Sequence, residues 1–262
     1  NLAIVAGFCW RYEFERRAFY ERILGGEIGD VQSIYATYLT GPVKPMRPDS
    51  ARDKSWSDIE WQVRNWYNFT WLSGDGLVEQ AVHSVDKIAW AMGDTPPVSC
   101  TAVGGRGIPN QSGNIFDHIE VNYLYPDGVR AYMAQRQQRR CHNENHDYLL
   151  GTKGRGDIAR GIFIENAKGR WRYEGKRENM YQVEHNELFK SIRDGEPINN
   201  GERMALSTMM GIMGRTAAYT GKEITYEQAL NSKEDRYPKD MNWETGKHTP
   251  PPVAQPGITP FV

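Results

Sequence analysis

Apolar positions along this chain follow first a helical spacing, then an alternating one, then a helical one again. The opening run, Leu2 to Phe8, is continuously apolar apart from Gly7, as in a fully buried parallel strand. Residues 13–24 have helical spacing and stop at Gly25-Gly26, as helices do at glycine. Residues 30–39 read as a strand, and 41–52, with Pro42, Pro45 and Pro48, as a loop. Residues 58–72 read as an aromatic-rich helix, and 73–92 as a second helix ended by Gly93. From there the period becomes two. Residues 98–103, 118–125, 129–137, 148–152 and 162–167 predict strands, several separated by turn signals such as Pro126-Asp127-Gly128 and Lys168-Gly169. Helices are predicted again over 180–193, 202–220 and 225–231, ahead of a proline-rich tail that would lie over the surface or on a partner subunit. This order predicts an α+β fold: a hairpin-connected, antiparallel sheet with helices on one face. The bare face would then be solvated or packed on a partner.

The helix predicted from residue 73 carries the most chemistry. Glu79, His83 and Asp86 fall at i, i+4 and i+7 and so share one face, while Leu77, Val82, Val85, Ile88 and Ala89 make the rest of the surface apolar. Ionisable groups on a buried helix need partners. The stripe reads either as a proton-transfer site or as a satisfied core histidine with two carboxylates tying loops. In the first case His83 exchanges a proton with a substrate hydroxyl, Glu79 orients it or tunes its pKa, and Asp86 supports the pair. Arg64, Asn65 and Trp66, with Gln62 nearby, place polar groups among aromatic rings, an arrangement that suits a sugar; an amphipathic helix with aromatic anchors reads the same way.

Composition narrows the classes. The 262 residues carry a formal net charge of −1, so no global field favours nucleic acid or an anionic membrane. No apolar run approaches the ~18 residues that span a bilayer. Three distant cysteines, Cys9, Cys100 and Cys141, define no disulfide framework and leave room for one bridge at most. Arg136, Gln137, Arg139 and Arg140 form a basic strand end suited to a carboxylate, a hydroxyl or solvent. Cys141 to Asp147 is dense in metal-ligand types, and on a strand His142, Glu144 and His146 would point the same way; no zinc spacing is matched, so no metal is assigned. Gly104-Gly105-Arg106-Gly107 is not a dinucleotide fingerprint, and neither that fingerprint, a P-loop nor a nucleophile elbow occurs. No cofactor-binding residue is assigned.

These residues taken together resemble the C-terminal domain of the glucose–fructose oxidoreductase / inositol dehydrogenase (Gfo/Idh/MocA) family, without its N-terminal Rossmann domain. The likeness runs from Arg11 through Ile23, Gly26, Ile28 and Gly29 to Trp71-Leu72-Ser73-Gly74-Asp75, and from Glu79-Gln80-Ala81-Val82-His83-Ser84-Val85-Asp86 through Gly151-Thr152-Lys153-Gly154 to Pro256-Gly257. The 79–86 stretch is the specific part. The family usually has Asp and His four apart there, and this chain has Glu at the first position.

The resemblance implies an open-faced, largely antiparallel mixed sheet with helices packed on one face, a sugar or cyclitol substrate, NAD or NADP in the intact protein with none bound by this chain alone, and a homodimer or homotetramer through the open sheet face. On that basis residues 1–12 are the last strand of a dinucleotide-binding domain or its remnant, from a larger protein trimmed on its N-terminal side, and 13–262 are the substrate-binding and oligomerising domain. Arg11, Tyr12, Arg64, Asn65 and Trp66 become the substrate-side candidates. The family's catalytic lysine would precede Asn1, since Lys44-Pro45 follows Val43 and does not match its motif. An NAD-assisted glycoside hydrolase or lyase, and a non-catalytic sugar-binding or oligomerisation module, are the alternatives. The compartment stays open between cytoplasm and periplasm.

Overall fold

A computed structural model of the chain describes residues 2–159 and 161–262. Its centre is one sheet of nine strands: β1 (Val31–Thr40), β2 (Ser99–Gly105), β3 (His118–Leu124), β4 (Arg130–Gln137), β5 (Asp147–Gly151), β6 (Gly154–Ile158), β7 (Ile162–Asn166), β8 (Gly169–Arg172) and β9 (Ile224–Thr225). Their order is β8-β7-β6-β5-β1-β4-β3-β2-β9. β1 and β4 run parallel, with Ala36 opposite Met133 and Thr40 opposite Gln137; the other neighbouring pairs are antiparallel. This is the α+β class that the change of period predicts and the open, largely antiparallel mixed sheet that the family resemblance implies.

Inward positions are apolar because helices cover that face: Ile34 and Ala36 on β1, Ile119, Val121 and Tyr123 on β3, Ala131 and Met133 on β4 are buried. Against them pack α1 (Phe14–Leu24), α5 (Val82–Ala91) and α7 (Gly201–Thr220). α7 supplies Met210 and Met213, flexible side chains that fill the space under the sheet. α6 (Met180–Asp194) packs on the short 3-10 turn Cys9–Tyr12, and α8 (Tyr226–Leu230) packs on α7. No described helix is long and apolar enough to cross a membrane.

Three local readings differ. Residues 2–8 form no strand of the sheet; Ile4 makes a single parallel bridge to Asn199, Leu2 is exposed, and Ala6 and Phe8 pack on Val82. The helix over 58–72 is broken into α2 (Asp58–Arg64), a 3-10 turn (Trp66–Asn68) and α3 (Thr70–Ser73). Asn65 stops it, taking a non-helical conformation while its side-chain amide donates to the Trp61 carbonyl at 2.9 Å. The next helix is also interrupted: α4 (Gly76–Glu79) precedes α5. The proline-rich tail lies on its own chain, where the Trp243, His248 and Pro251 carbonyls accept hydrogen bonds from Ser57, Gln62 and Asn114. All three cysteines are free thiols.

Candidate active site

The parallel pair decides where a site can form. Because β1 and β4 point the same way, both release their C-terminal ends at one edge of the sheet, as where α/β sheets bind ligands. Lys44 and Pro45 follow β1 there; Gln138 and Arg139 follow β4. With Tyr67 and Arg106 they line a cavity of about 340 Å³.

Over this edge sits α4, held by the Ser73-Gly74-Asp75 turn. Asp75 is fully buried at a φ of 92°, and its carboxylate accepts from Leu77 N at 3.3 Å, Phe116 N at 2.7 Å and the Tyr219 hydroxyl at 2.5 Å. Those bonds hold the strained backbone. Gly76 lets α4 rest on two glutamines of β4: a Cβ there would lie 2.7 Å from Gln135 Nε2 and 2.8 Å from Gln137 Nε2. Gln137 donates to the buried Tyr67 hydroxyl, while both polar atoms of the buried Gln135 amide have no partner.

Glu79 closes this turn. Burial raises its pKa, against the charge of Lys44 and the hydroxyl of Tyr67, and its Oε2 is buried without a partner. Next to it Gln80 donates to the Tyr38 hydroxyl at 2.8 Å. His83 stands on the following turn. Its ring centroid lies 6.0 Å from Phe8, edge-on, and 5.4 Å from Trp10. Burial lowers its pKa, as does Lys87, with Asp86 opposing, and Nδ1 is buried without a partner. The lowered pKa favours the neutral imidazole, the form that can accept a proton. Among the described residues Glu79 and His83 share no hydrogen bond.

Asp86 lies in a buried cluster and, like Glu79 and His83, does not line the cavity. Arg11 grips it through Nε at 2.8 Å and Nη2 at 2.9 Å, Ser207 donates at 2.8 Å, and Arg11 also pairs with Asp94. Lys87, one turn past His83, pairs with Asp147 at 2.6 Å with both groups buried, and its Nζ lies 4.3 Å from the Trp10 ring.

The other substrate-side candidates are dispersed. Tyr12 is buried and donates to Asn200. Arg64 pairs with Glu60 over the Trp56 ring. Asn65 is occupied by Arg47 N and the Trp61 carbonyl. Trp66 stands beside the cavity wall, against Tyr67 and with Lys44 Nζ 5.5 Å from its ring. Sequence reasoning did not single out Lys44, Tyr67, Arg106 and Gln135 as site residues. One signal was readable: the inward positions of β4 run Ala131, Met133, Gln135, Gln137, turning from apolar to amide at the C-terminal end. His142 and His146 both approach Glu144, at 3.4 and 3.7 Å, yet no group of three side chains able to hold a metal occurs among the described residues.

The profile of the GFO/IDH/MocA C-terminal domain matches residues 17–156, more than half of the chain. The chain belongs to the GFO/IDH/MocA C-terminal domain family. Solved structures agree at the level of fold. An aldose-aldose oxidoreductase from Caulobacter crescentus, complexed with glycerol, superposes with a TM-score of 0.67 at 18% identity over 85% of this chain. A levoglucosan dehydrogenase, complexed with NADH and levoglucosan, gives 0.65 at 17% identity over 86%. This GFO/IDH/MocA domain spans 64% and 66% of those two chains, just under two thirds of their length. No curated protein sequence matches it.

Its sheet has one parallel strand pair, and no strand leads through a glycine loop into a helix N-terminus among the described residues. That arrangement does not fit a dinucleotide, whose pyrophosphate needs such a cradle.

Proposed function

We propose that this GFO/IDH/MocA domain binds a sugar or cyclitol and handles the hydroxyl proton in an NAD- or NADP-dependent oxidoreductase. Residues 1–12 would connect it to a dinucleotide-binding domain that holds the cofactor, and residues 13–262 would be the substrate-binding unit. The observation that carries the reading is the pair of successive helical turns at the edge where β1 and β4 both end. These turns offer Glu79 and His83, each with a buried polar atom lacking a partner. Unmet hydrogen-bonding capacity in a protein interior marks a place where a ligand's hydroxyls are welcome.

Oxidising a carbinol carbon to a carbonyl frees the hydroxyl proton. His83, kept neutral by its apolar seat, accepts it at neutral pH. Glu79, facing Tyr67 and Lys44, takes a hydrogen bond from a neighbouring substrate hydroxyl and fixes the ring's orientation. Asp86 acts through Arg11 as a positioning residue that sets the depth of α5. Lys87 and Asp147 hold the Trp10 ring against His83.

The test is sugar oxidation by the intact protein, followed through reduced nicotinamide. His83→Ala is expected to lower kcat by roughly 10²–10⁴, the usual contribution of a positioned general base, with substrate still bound. Unchanged turnover in the His83→Ala protein would discard the assignment.

A further inference from the structure

The cavity beside Glu79 carries three basic side chains, Lys44, Arg106 and Arg139, and one acid, Asp117. Asp117 is already engaged: Oδ1 accepts from Gly107 N at 3.1 Å and lies 2.7 Å from His118 Nδ1, while Oδ2 accepts from Ile108 N at 2.7 Å. Among the described residues none of the three basic groups has a carboxylate within ion-pair distance. Other arginines find one: Arg11 pairs with Asp86, Arg17 with Glu187, Arg155 and Arg170 with Glu165, Arg215 with Glu234. The chain has 32 basic and 33 acidic residues, so carboxylates are not scarce; they are missing from this wall.

Arg106 makes the imbalance costly. Its Nε and Nη2 are buried without any hydrogen-bond partner. Burial lowers its pKa, with Asp117 and Asp75 opposing. A desolvated, unpaired guanidinium is unfavourable, and an anion beside it relieves the penalty. The rest of the wall suits a carbohydrate: Ile115 and Phe116 offer apolar surface, and the Asn110 and Gln138 amides can meet hydroxyls.

We propose that the cavity selects a carbohydrate bearing an anionic group, a carboxylate or a phosphate, with Arg106 as that group's partner. Lys44 and Arg139 add positive field at the exposed rim. Tyr67 lines the cavity and also touches Glu79, so the hydroxyls to be handled lie on its side of the ligand. The assignment rests on the reading of Glu79 and His83 as hydroxyl-handling groups and adds the substrate class to it.

Calorimetric titration of the 262-residue protein with D-glucuronate, D-glucose 6-phosphate and D-glucose tests it. At least one anionic sugar is expected to bind about tenfold or more tighter than D-glucose, the worth of one good hydrogen bond to a charged group. The advantage should shrink in high salt, and whichever of the two anions leads identifies the group. Arg106→Gln should bring the ratio close to one; Arg106→Lys, which keeps the charge but not the fork, should retain part of it. D-glucose binding as tightly as both anions, or an anion preference untouched by Arg106→Gln, overturns the proposal. If that result comes with His83-dependent oxidation intact, anion selection alone falls. Loss of binding of every sugar removes the sugar-binding reading as well. Inorganic phosphate binding as tightly as the anionic sugars also overturns the proposal, because no carbohydrate would then be selected.

Discussion

His83 sits between the rings of Phe8 and Trp10, and that seat fixes how it answers to pH. Its pKa in the folded chain lies below the ordinary value of 6.5, chiefly through burial. The unfolded chain therefore binds the proton more readily, and stability rises with pH in the interval between the two values. The contribution is complete above pH 6.5 and is lost progressively as the pH falls towards the folded value. Chemical denaturation between pH 7.5 and 5 should show a falling midpoint, and His83→Asn should flatten that slope. His248, also lowered by burial, supplies a residual slope of the same sign, and Glu79, raised by burial, one of the opposite sign at the acid end. An equally steep slope in His83→Asn would place the titrating group elsewhere. The reaction should share the trend, with kcat falling on the acid side as the imidazole is protonated and ceases to be a base.

At the scale of elements, much of the architecture was legible because period reports burial. β1, β3, β4, β5 and β7, α1, α6 and α7 all lie where the apolar spacing predicts them. β6 escaped because Gly154-Arg155-Gly156-Asp157-Ile158 has almost no pattern. Gly156 is there for packing: a Cβ would lie 2.6 Å from Phe19 Cζ, so α1 requires bare backbone beneath it. The candidate site was half legible. Glu79 and His83 stood out as ionisable groups on an apolar helix, but Lys44, Tyr67 and Arg106 come from three separate segments, after β1, between α2 and α3 and after β2, that only the tertiary fold brings to one cavity. Arg11 and Asp86 were visible as charges, not as a pair 75 residues apart in sequence. Their bond staples the Cys9–Tyr12 turn to α5, with Asp86 buried. Arg11→Met should leave that carboxylate unpaired and cost about 3–5 kcal/mol in urea unfolding, whereas the double variant Arg11→Met/Asp86→Leu should recover most of the loss. A single-variant cost below ~1 kcal/mol would mean the staple is dispensable, as exposed pairs usually are.

The whole molecule has one sheet face covered by helices and one bare. Across the bare face the register aligns Tyr132, Tyr35, Tyr148, Asp157 and Phe163 on five successive strands, with Tyr35 and Tyr148 stacked at 6.0 Å. Leu150 and Val103, 57% and 72% exposed, flank that row. Arg155, Arg170 and Arg172 surround the Phe163 ring near one edge, while Glu120 lies towards the other. Nine strands about 4.8 Å apart, from two to ten residues long and averaging about six, make a face of roughly 800–900 Å², close to the ~800 Å² per partner of a stable interface. Arg155 and Arg170 are already paired with Glu165, so it is Arg172 that a two-fold axis can set against Glu120 of a second copy. We therefore expect a homodimer, or a tetramer built from it, joined through this face. Sedimentation velocity at micromolar protein should show the oligomer. Tyr35→Glu/Leu150→Glu should shift it to monomer with the far-ultraviolet circular dichroism unchanged, since both side chains point away from the core. A wild-type chain that sediments as a monomer across the accessible concentration range would show that water, not a second copy, covers the sheet.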